Sequence, residues 1–160
     1  MLPQNETSIR IDNARGGNYP SYVFFGIASA SALNGSVLES STGFYIKNVK
    51  KVDITCNGTS VSGYPLDVQH DIPIQCYKNY LEVLDRYMNN NCGAQLSLTE
   101  YRYNCIHAHK FEGEETSNGW LSFKLELKAP FTSPHNMVIW YVYDSKISID
   151  KYHRIEKEIL

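Results

Sequence analysis

The chain has 160 residues, a formal net charge of −2 and a pI of about 6.2, so it is long enough for one domain with its own core and lacks the basic excess of a nucleic-acid-binding groove. Its N-terminal residues lack the apolar core of a signal peptide, and no apolar run reaches the roughly 18 residues of a membrane span, so we expect an intracellular protein that is not secreted. Tyrosine outnumbers phenylalanine by 12 to 6, which favours strands and half-buried surfaces.

Strand patterns dominate the first half of the chain. Thr7–Asp12 alternates weakly between apolar and polar residues, whereas Tyr22–Ala28 is apolar on both sides, as in a strand whose two faces are buried. Phe44–Cys56 carries two strand-like stretches. The pair Asn57-Gly58 follows directly and predicts a type I′ hairpin turn, because both residues tolerate a positive φ.

One amphipathic helix interrupts the strands, at about residues 76–88. Apolar and aromatic residues recur there at helical spacing, in a single stripe formed by Tyr77, Tyr80, Leu81, Leu84, Tyr87 and Met88. Pro73 precedes the stripe, and an Asn-rich stretch with a glycine ends it.

Strands return after the helix. We predict them at Tyr103–Phe111, Trp120–Leu127, Met137–Tyr143 and Lys146–Asp150. Trp120–Leu127 alternates strictly, so that every second residue is leucine or phenylalanine. Without any βαβ alternation, the pattern predicts an all-β fold: a single antiparallel β-sandwich with the helix in one long connection.

The four cysteines, Cys56, Cys76, Cys92 and Cys105, have no CxxC spacing. Two disulfides would suit a secreted protein. We instead expect reduced and mostly buried thiols, because nothing indicates secretion and a free cysteine packs as a small hydrophobic residue.

His107 and His109 are the strongest candidates for a metal-binding or catalytic site. Two histidines at i and i+2 on a strand point to one face, where they could bind a metal with a carboxylate from Glu112, Glu114 or Glu115. This pattern resembles half of the cupin motif, but the second half is missing. The simpler interpretation is two half-exposed strand histidines beside an acidic loop. With no nucleophile elbow and no phosphate-binding loop, we expect no enzymatic activity and no cofactor.

The aromatic run Trp140 to Tyr143 has two readings. Exposed aromatic rings stack on sugars, which would suit a lectin-like binding module. A strand that is apolar on both sides is more often buried on both sides, either between two layers of one domain or against a neighbouring subunit.

Several segments together resemble the last barrel of the major capsid proteins of Polinton (Maverick) DNA transposons and their adenovirus-lineage relatives. They are YPSYVFFGIASASALNGS (Tyr19–Ser36), LSLTEYRYNCIHAHKF (Leu96–Phe111), GWLSFKLELKAPF (Gly119–Phe131) and NMVIWYVYDSKISID (Asn136–Asp150). The predicted hairpin and helix fall in the expected order between them. The likeness is one of strands and turns, not of a catalytic signature, and it covers Tyr19–Asp150.

The resemblance implies a jelly roll of eight strands in two sheets. It suggests an N-terminal segment with a first strand at 1–18, the jelly-roll domain at 19–150 and a C-terminal tail at 151–160. It further implies a structural capsid protein, found in the virion and in the cytoplasm or nucleus before assembly. Family members carry two barrels and form trimeric capsomers, so the expected partners are other copies, an N-terminal jelly roll and a penton protein, with no direct nucleic-acid site.

An assembling barrel would bury aromatic side chains against its neighbours. The helix and the last long strand supply the most. Our candidate interface residues are Tyr77, Tyr80, Tyr87, Trp140, Tyr141 and Tyr143.

Overall fold

The structure is a computed structural model. It describes residues 1–40, 43–44, 48–61, 63–68, 74–88, 96–111, 118–149, 152 and 154–159. These residues are mostly β-strand, in antiparallel sheets. Among them, no helix has the length and apolar character needed to cross a bilayer.

Ten strands and three helices make up the described part of the chain. The strands are β1 Ser8–Asn18, β2 Tyr22–Ser29, β3 Val49–Cys56, β4 Thr59–Ser60, β5 Leu66–Asp67, β6 His107–Lys110, β7 Asn118–Leu127, β8 His135–Val142, β9 Ser145–Ile149 and β10 Ile155–Ile159. The helices are α1 Ala30–Leu33, α2 Ile74–Met88 and α3 Leu98–Tyr101.

The strands form two larger sheets and one separate hairpin. The five-stranded sheet has the order β1-β7-β3-β4, with β5 also paired to β3. The three-stranded sheet has the order β6-β2-β8, and β9 pairs with β10 alone. Successive strands therefore alternate between the two larger sheets, both from β1 to β3 and from β6 to β8.

The core lies between the inner faces of these two sheets. The ring of Phe25 on β2 meets that of Phe123 on β7 edge-on, with centroids 5.2 Å apart. The hydroxyl of Tyr141 on β8 donates to the carbonyl oxygen of Ala14 on β1 at 3.4 Å. As the alternation predicted, every second side chain of β7 is buried there, namely Leu121, Phe123, Leu125 and Leu127.

The predicted helix is confirmed as α2, which packs against β6. Among the described side chains of α2, those of Cys76, Tyr80 and Val83 are buried. The ring of Tyr80 lies 5.2 Å from that of Tyr101, which α3 places in the core.

The predicted hairpin is also confirmed. Asn57 and Gly58 have φ values of 50° and 84° and connect β3 to β4. The side-chain oxygen of Asn57 accepts the backbone N–H of Trp120 on β7 at 2.9 Å. The turn is thus tied to the neighbouring strand as well as to its own hairpin.

Other strand boundaries differ from the prediction. β1 continues well beyond Asp12 to Asn18, across two glycines that normally break strands, because β7 pairs with it on both sides of a register shift between Ile11 and Arg15. The strand predicted from Tyr103 begins only at His107, since residues after α3 form turns. The segment 151–160 contains β10, which no pattern predicted.

Candidate functional site

The two histidines of β6 point into the core, not into a surface site. β6 pairs with β2 so that His109 lies opposite Val23 and His107 opposite Phe25. Both imidazoles are buried, and that of His107 stacks on Phe25 with centroids 4.9 Å apart. The expectation that they are half exposed was wrong, because β6 turns the face that carries them towards the other sheet.

The arrangement around His107 suits packing better than catalysis. Burial lowers the pKa of His107 to about 4, so the ring is neutral near pH 7. The Sγ atom of Cys105 lies 4.0 Å from its Nε2, but burial holds the pKa of Cys105 far above its usual range. A protonated thiol beside a neutral imidazole is not an activated nucleophile.

The described residues hold no cluster of three or more histidines, cysteines or acidic residues that could bind a metal ion. The carboxylates considered for such a site, at Glu112, Glu114 and Glu115, lie outside the described residues. Cys76 and Cys105 are buried and Cys56 is half buried, and none of these three forms a disulfide. Cys92 lies outside the described residues.

The outward face of the five-stranded sheet carries charged pairs on β3 and β7, and Trp120 on β7 is 56% exposed on the same face. Lys51 on β3 lies opposite Glu126 on β7, and Asp53 lies opposite Lys124. The Nζ of Lys124 is also 3.3 Å from a carboxylate oxygen of Glu126. Opposite charges in cross-strand register are typical of a sheet face that water covers.

The outward face of the three-stranded sheet is mostly apolar, and its one charged residue among those described is Lys110 on β6, opposite Tyr22. Val23, Phe25 and Ile27 point into the core, so the residues between them on β2 point outward. In register with β8, these outward positions form three apolar pairs: Tyr22 with Val142, Phe24 with Trp140, and Gly26 with Val138. Neither β2 nor β8 contains Asp, Glu, Lys or Arg.

Phe44, from the segment before β3, covers part of this apolar face. A Cβ atom at Gly26 would lie 2.5 Å from Cδ1 of Phe44, so the ring rests directly on the strand. Phe44 also meets the Trp140 ring edge-on, with centroids 5.6 Å apart. Trp140 remains 43% exposed.

A second apolar feature lies on the loop after α1. Val37 and Leu38 are 100% and 95% exposed. The loop is held by hydrogen bonds: the N–H of Leu38 donates to Ser36 Oγ at 3.2 Å, and Ser31 Oγ donates to Glu39 at 2.6 Å. Two large apolar side chains are thus presented to water side by side, and a neighbouring protein that covered them would bury apolar surface.

The six predicted interface residues differ in how far their side chains are buried. Tyr80 is buried within the chain and is unavailable to a neighbour, and the hydroxyl of half-buried Tyr77 donates to the carbonyl oxygen of Leu96 at 2.9 Å. Tyr141 points inward, whereas Tyr143 stays half buried and accepts a hydrogen bond from Arg15 Nε at 2.8 Å. The side chain of Tyr87 lies outside those described. Of the six, Trp140 alone is classed as exposed among the described side chains.

No protein-family model and no curated protein matches the chain. The chemistry of the site therefore follows from its geometry. Sequence patterns missed Phe24, Val138 and Phe44, because a strand that is apolar on both faces does not reveal which of its faces points outward. What this surface can do is bury apolar area against another protein.

Proposed function

We propose that the chain is a structural self-assembly domain: the second jelly roll of a double jelly-roll major capsid protein of the Polinton type, with no catalytic activity. One observation carries the proposal, the contrast between the outward faces of the two sheets. One face bears cross-strand charge pairs, and the other bears Phe24, Val138 and Trp140.

The two faces differ in the free energy gained when another protein covers them. Burying apolar surface contributes roughly 25 cal/mol per Å², so the face of the three-stranded sheet gains from a protein neighbour. The charged face gains nothing comparable, because its ion pairs would lose water. A sandwich with charge pairs on one outward face and mostly apolar residues on the other suits a shell, in which each subunit contacts neighbours on selected sides.

The strand order supports the finer assignment. A jelly roll is a double-sheet barrel in which the chain crosses repeatedly between the sheets. Successive strands of this chain alternate between sheets from β1 to β3 and from β6 to β8. The segments that resemble the capsid family include β2, β6, β7 and β8.

The proposal assigns the partners. They are other copies of the same protein in a trimeric capsomer, an N-terminal jelly roll and a penton protein. The site of action is the virion, with the cytoplasm or nucleus as the place of synthesis and assembly.

The genomic neighbourhood provides one test. We expect an upstream reading frame that encodes another jelly roll, near genes for a protein-primed polymerase, an integrase and a packaging ATPase. A complete flanking sequence without any of these would contradict the capsid assignment.

The purified chain provides the second test. We expect oligomers in sedimentation velocity and ring-shaped particles in electron microscopy. Leu38→Lys should weaken association without unfolding the chain, because the leucine is exposed, whereas Thr59→Lys on the charged sheet is the matched control. If the chain stays monomeric both alone and fused to the upstream jelly roll, self-assembly is wrong.

A carbohydrate-binding module is the second candidate, and the exposed part of Trp140 favours it. Trp140 presents ring surface beside Phe44, as aromatic sugar platforms do. Glycan-array screening of the wild type and Trp140→Ala tests this: sugar binding that the substitution removes supports it, and an empty array rejects it.

A further inference from the structure

The strand edges of the two larger sheets are protected, with one exception. Among the described residues, β4 and β5 have two residues each, and β6 has four and packs against α2. β1 carries a register irregularity together with the charges of Arg10, Asp12 and Arg15. Short strands, bulges, charges and covering helices are the usual means of preventing edge-to-edge pairing.

β8 lacks these protections except at its first residue, where the backbone N–H of Leu2 donates to the carbonyl oxygen of His135 at 2.7 Å. It has eight residues, none of them Asp, Glu, Lys or Arg, and it pairs with β2 over its whole length without a register shift. Its other side pairs with no strand in the described part of the chain. A long strand edge without charged residues offers a row of backbone N–H and C=O groups to an added strand.

The same chain also carries a hairpin that suits the role of donor. β9 and β10 pair with each other and with no third described strand. On β9, Ile147 and Ile149 are 62% and 65% exposed. A two-stranded hairpin is at best marginally stable in water, so it gains from pairing with a larger sheet.

The link between β8 and β9 is held against the body of the domain. The backbone N–H of Asp144 donates to Ser21 Oγ at 3.2 Å, and Arg15 Nε donates to the hydroxyl of Tyr143 at 2.8 Å. With both link residues held in this way, β9 does not turn back to pair with β8 of its own chain. The chain thus presents an acceptor edge on β8 and a donor hairpin, β9–β10, and the two do not pair with each other within one copy.

We propose that hairpin β9–β10 of one copy adds to the β8 edge of a second copy through backbone hydrogen bonds. The added strand places alternate side chains beside Trp140, where Ile147 or Ile149 loses water. This inference rests on the proposed self-assembly and names the contact that drives it. Because donor and acceptor are different surfaces, the contact is heterologous and repeats into a closed ring or an open filament.

The test uses complementary variants of the full chain. Trp140→Lys places a charge at the acceptor edge, and the double substitution Ile147→Lys, Ile149→Lys does so at the donor. Trp120→Lys is the control, since Trp120 is an exposed tryptophan on the other sheet. Circular dichroism checks that each variant is folded. If Trp140→Lys unfolds the chain, the donor variant still tests the contact, because Ile147 and Ile149 are exposed and their substitution should leave the fold intact.

We expect each variant to weaken self-association by about tenfold or more in sedimentation equilibrium, with the control unchanged. Mixing the acceptor variant with the donor variant restores one intact contact, so the mixture should form dimers of one copy of each and stop there.

The other results overturn either the inference or the proposed function. If the variants associate as the wild type does, or if the mixture forms no dimers, strand addition is wrong although self-assembly stands. A monomeric wild-type chain also overturns it, and the fusion to the upstream jelly roll then decides the proposed function separately. Dimers by strand addition without any capsid-like genes nearby would leave the inference intact and contradict the capsid assignment.

Discussion

The ring of Phe44 lies on the backbone of Gly26, where a Cβ atom would come within 2.5 Å of Cδ1 and 2.9 Å of Cγ. Gly26 is on the central strand of the three-stranded sheet, and Phe44 belongs to the segment that leads into β3. The absent side chain at Gly26 therefore creates the space in which this segment is anchored.

We expect Gly26→Ala to destabilise the protein by about 1–3 kcal/mol, because the added methyl group displaces a buried ring. In a Phe44→Ala background the same change should be neutral or stabilising, since alanine is preferred to glycine within a strand. Urea unfolding of the four proteins measures the coupling. Equal effects of Gly26→Ala in both backgrounds would contradict the contact.

The buried imidazole of His107 should make stability depend on pH. Burial lowers its pKa from 6.5 to about 4, so between these values the unfolded chain binds the proton and the folded chain does not. Its contribution is fully present above about pH 6.5 and is lost as the pH falls towards 4, by up to about 3 kcal/mol. The groups that face the ring are the thiol of Cys105 and the ring of Phe25.

We expect His107→Phe to flatten the fall in stability between pH 6.5 and 4, measured by urea unfolding at several pH values. The carboxylates contribute to the slope in both proteins, so the difference between the two curves isolates the histidine. Two parallel curves would show that His107 does not titrate in this way.

The buried thiols should resist alkylation in the folded protein. Burial raises the pKa of Cys76 to about 12, so almost none is thiolate at pH 8, and Cys105 is buried as well. We expect half-buried Cys56 to react first, and Cys76 and Cys105 to react only as urea unfolds the chain. Peptide mass spectrometry after alkylation measures each site, and rapid native labelling of Cys76 would contradict its position in the core.

The turn residue Asn57 contributes in two separable ways. It adopts a positive φ of 50°, and its side-chain oxygen accepts the N–H of Trp120. We expect Asn57→Ala to cost about 1–3 kcal/mol in urea unfolding, because it loses both the conformational tolerance and the hydrogen bond. Asn57→Gly keeps the tolerance and should cost less. Equal losses would mean that the φ value contributes nothing.

Local features of the chain could be predicted because short-range patterns specify them. The stripe at Tyr77, Tyr80 and Leu84 has a helical period, and the inward set of β7 has the period of a strand. The Asn57-Gly58 turn needs only its own two residues. By contrast, the strand predicted at Thr7–Asp12 continues to Asn18 only because β7 pairs with it.

The candidate surface was only partly predictable. Of the predicted interface residues, Trp140 is exposed, whereas Tyr80 belongs to the core and Tyr141 points inward. The pattern at Met137–Tyr143 is apolar throughout, so it predicts burial on both faces without saying which face meets the other sheet. Val37 and Leu38 gave no signal, since two adjacent apolar residues in a loop have no period.

By itself the sequence determined the helix at about 76–88, the inward face of Trp120–Leu127 and the turn at Asn57-Gly58, because each depends on residues that are neighbours along the chain. Only the tertiary structure decided that His107 is buried, that Trp140 faces outward and that β8 pairs with a single strand among the described residues. These features depend on pairing between strands far apart in sequence, and such pairing selects a register and an outer face that no local pattern contains.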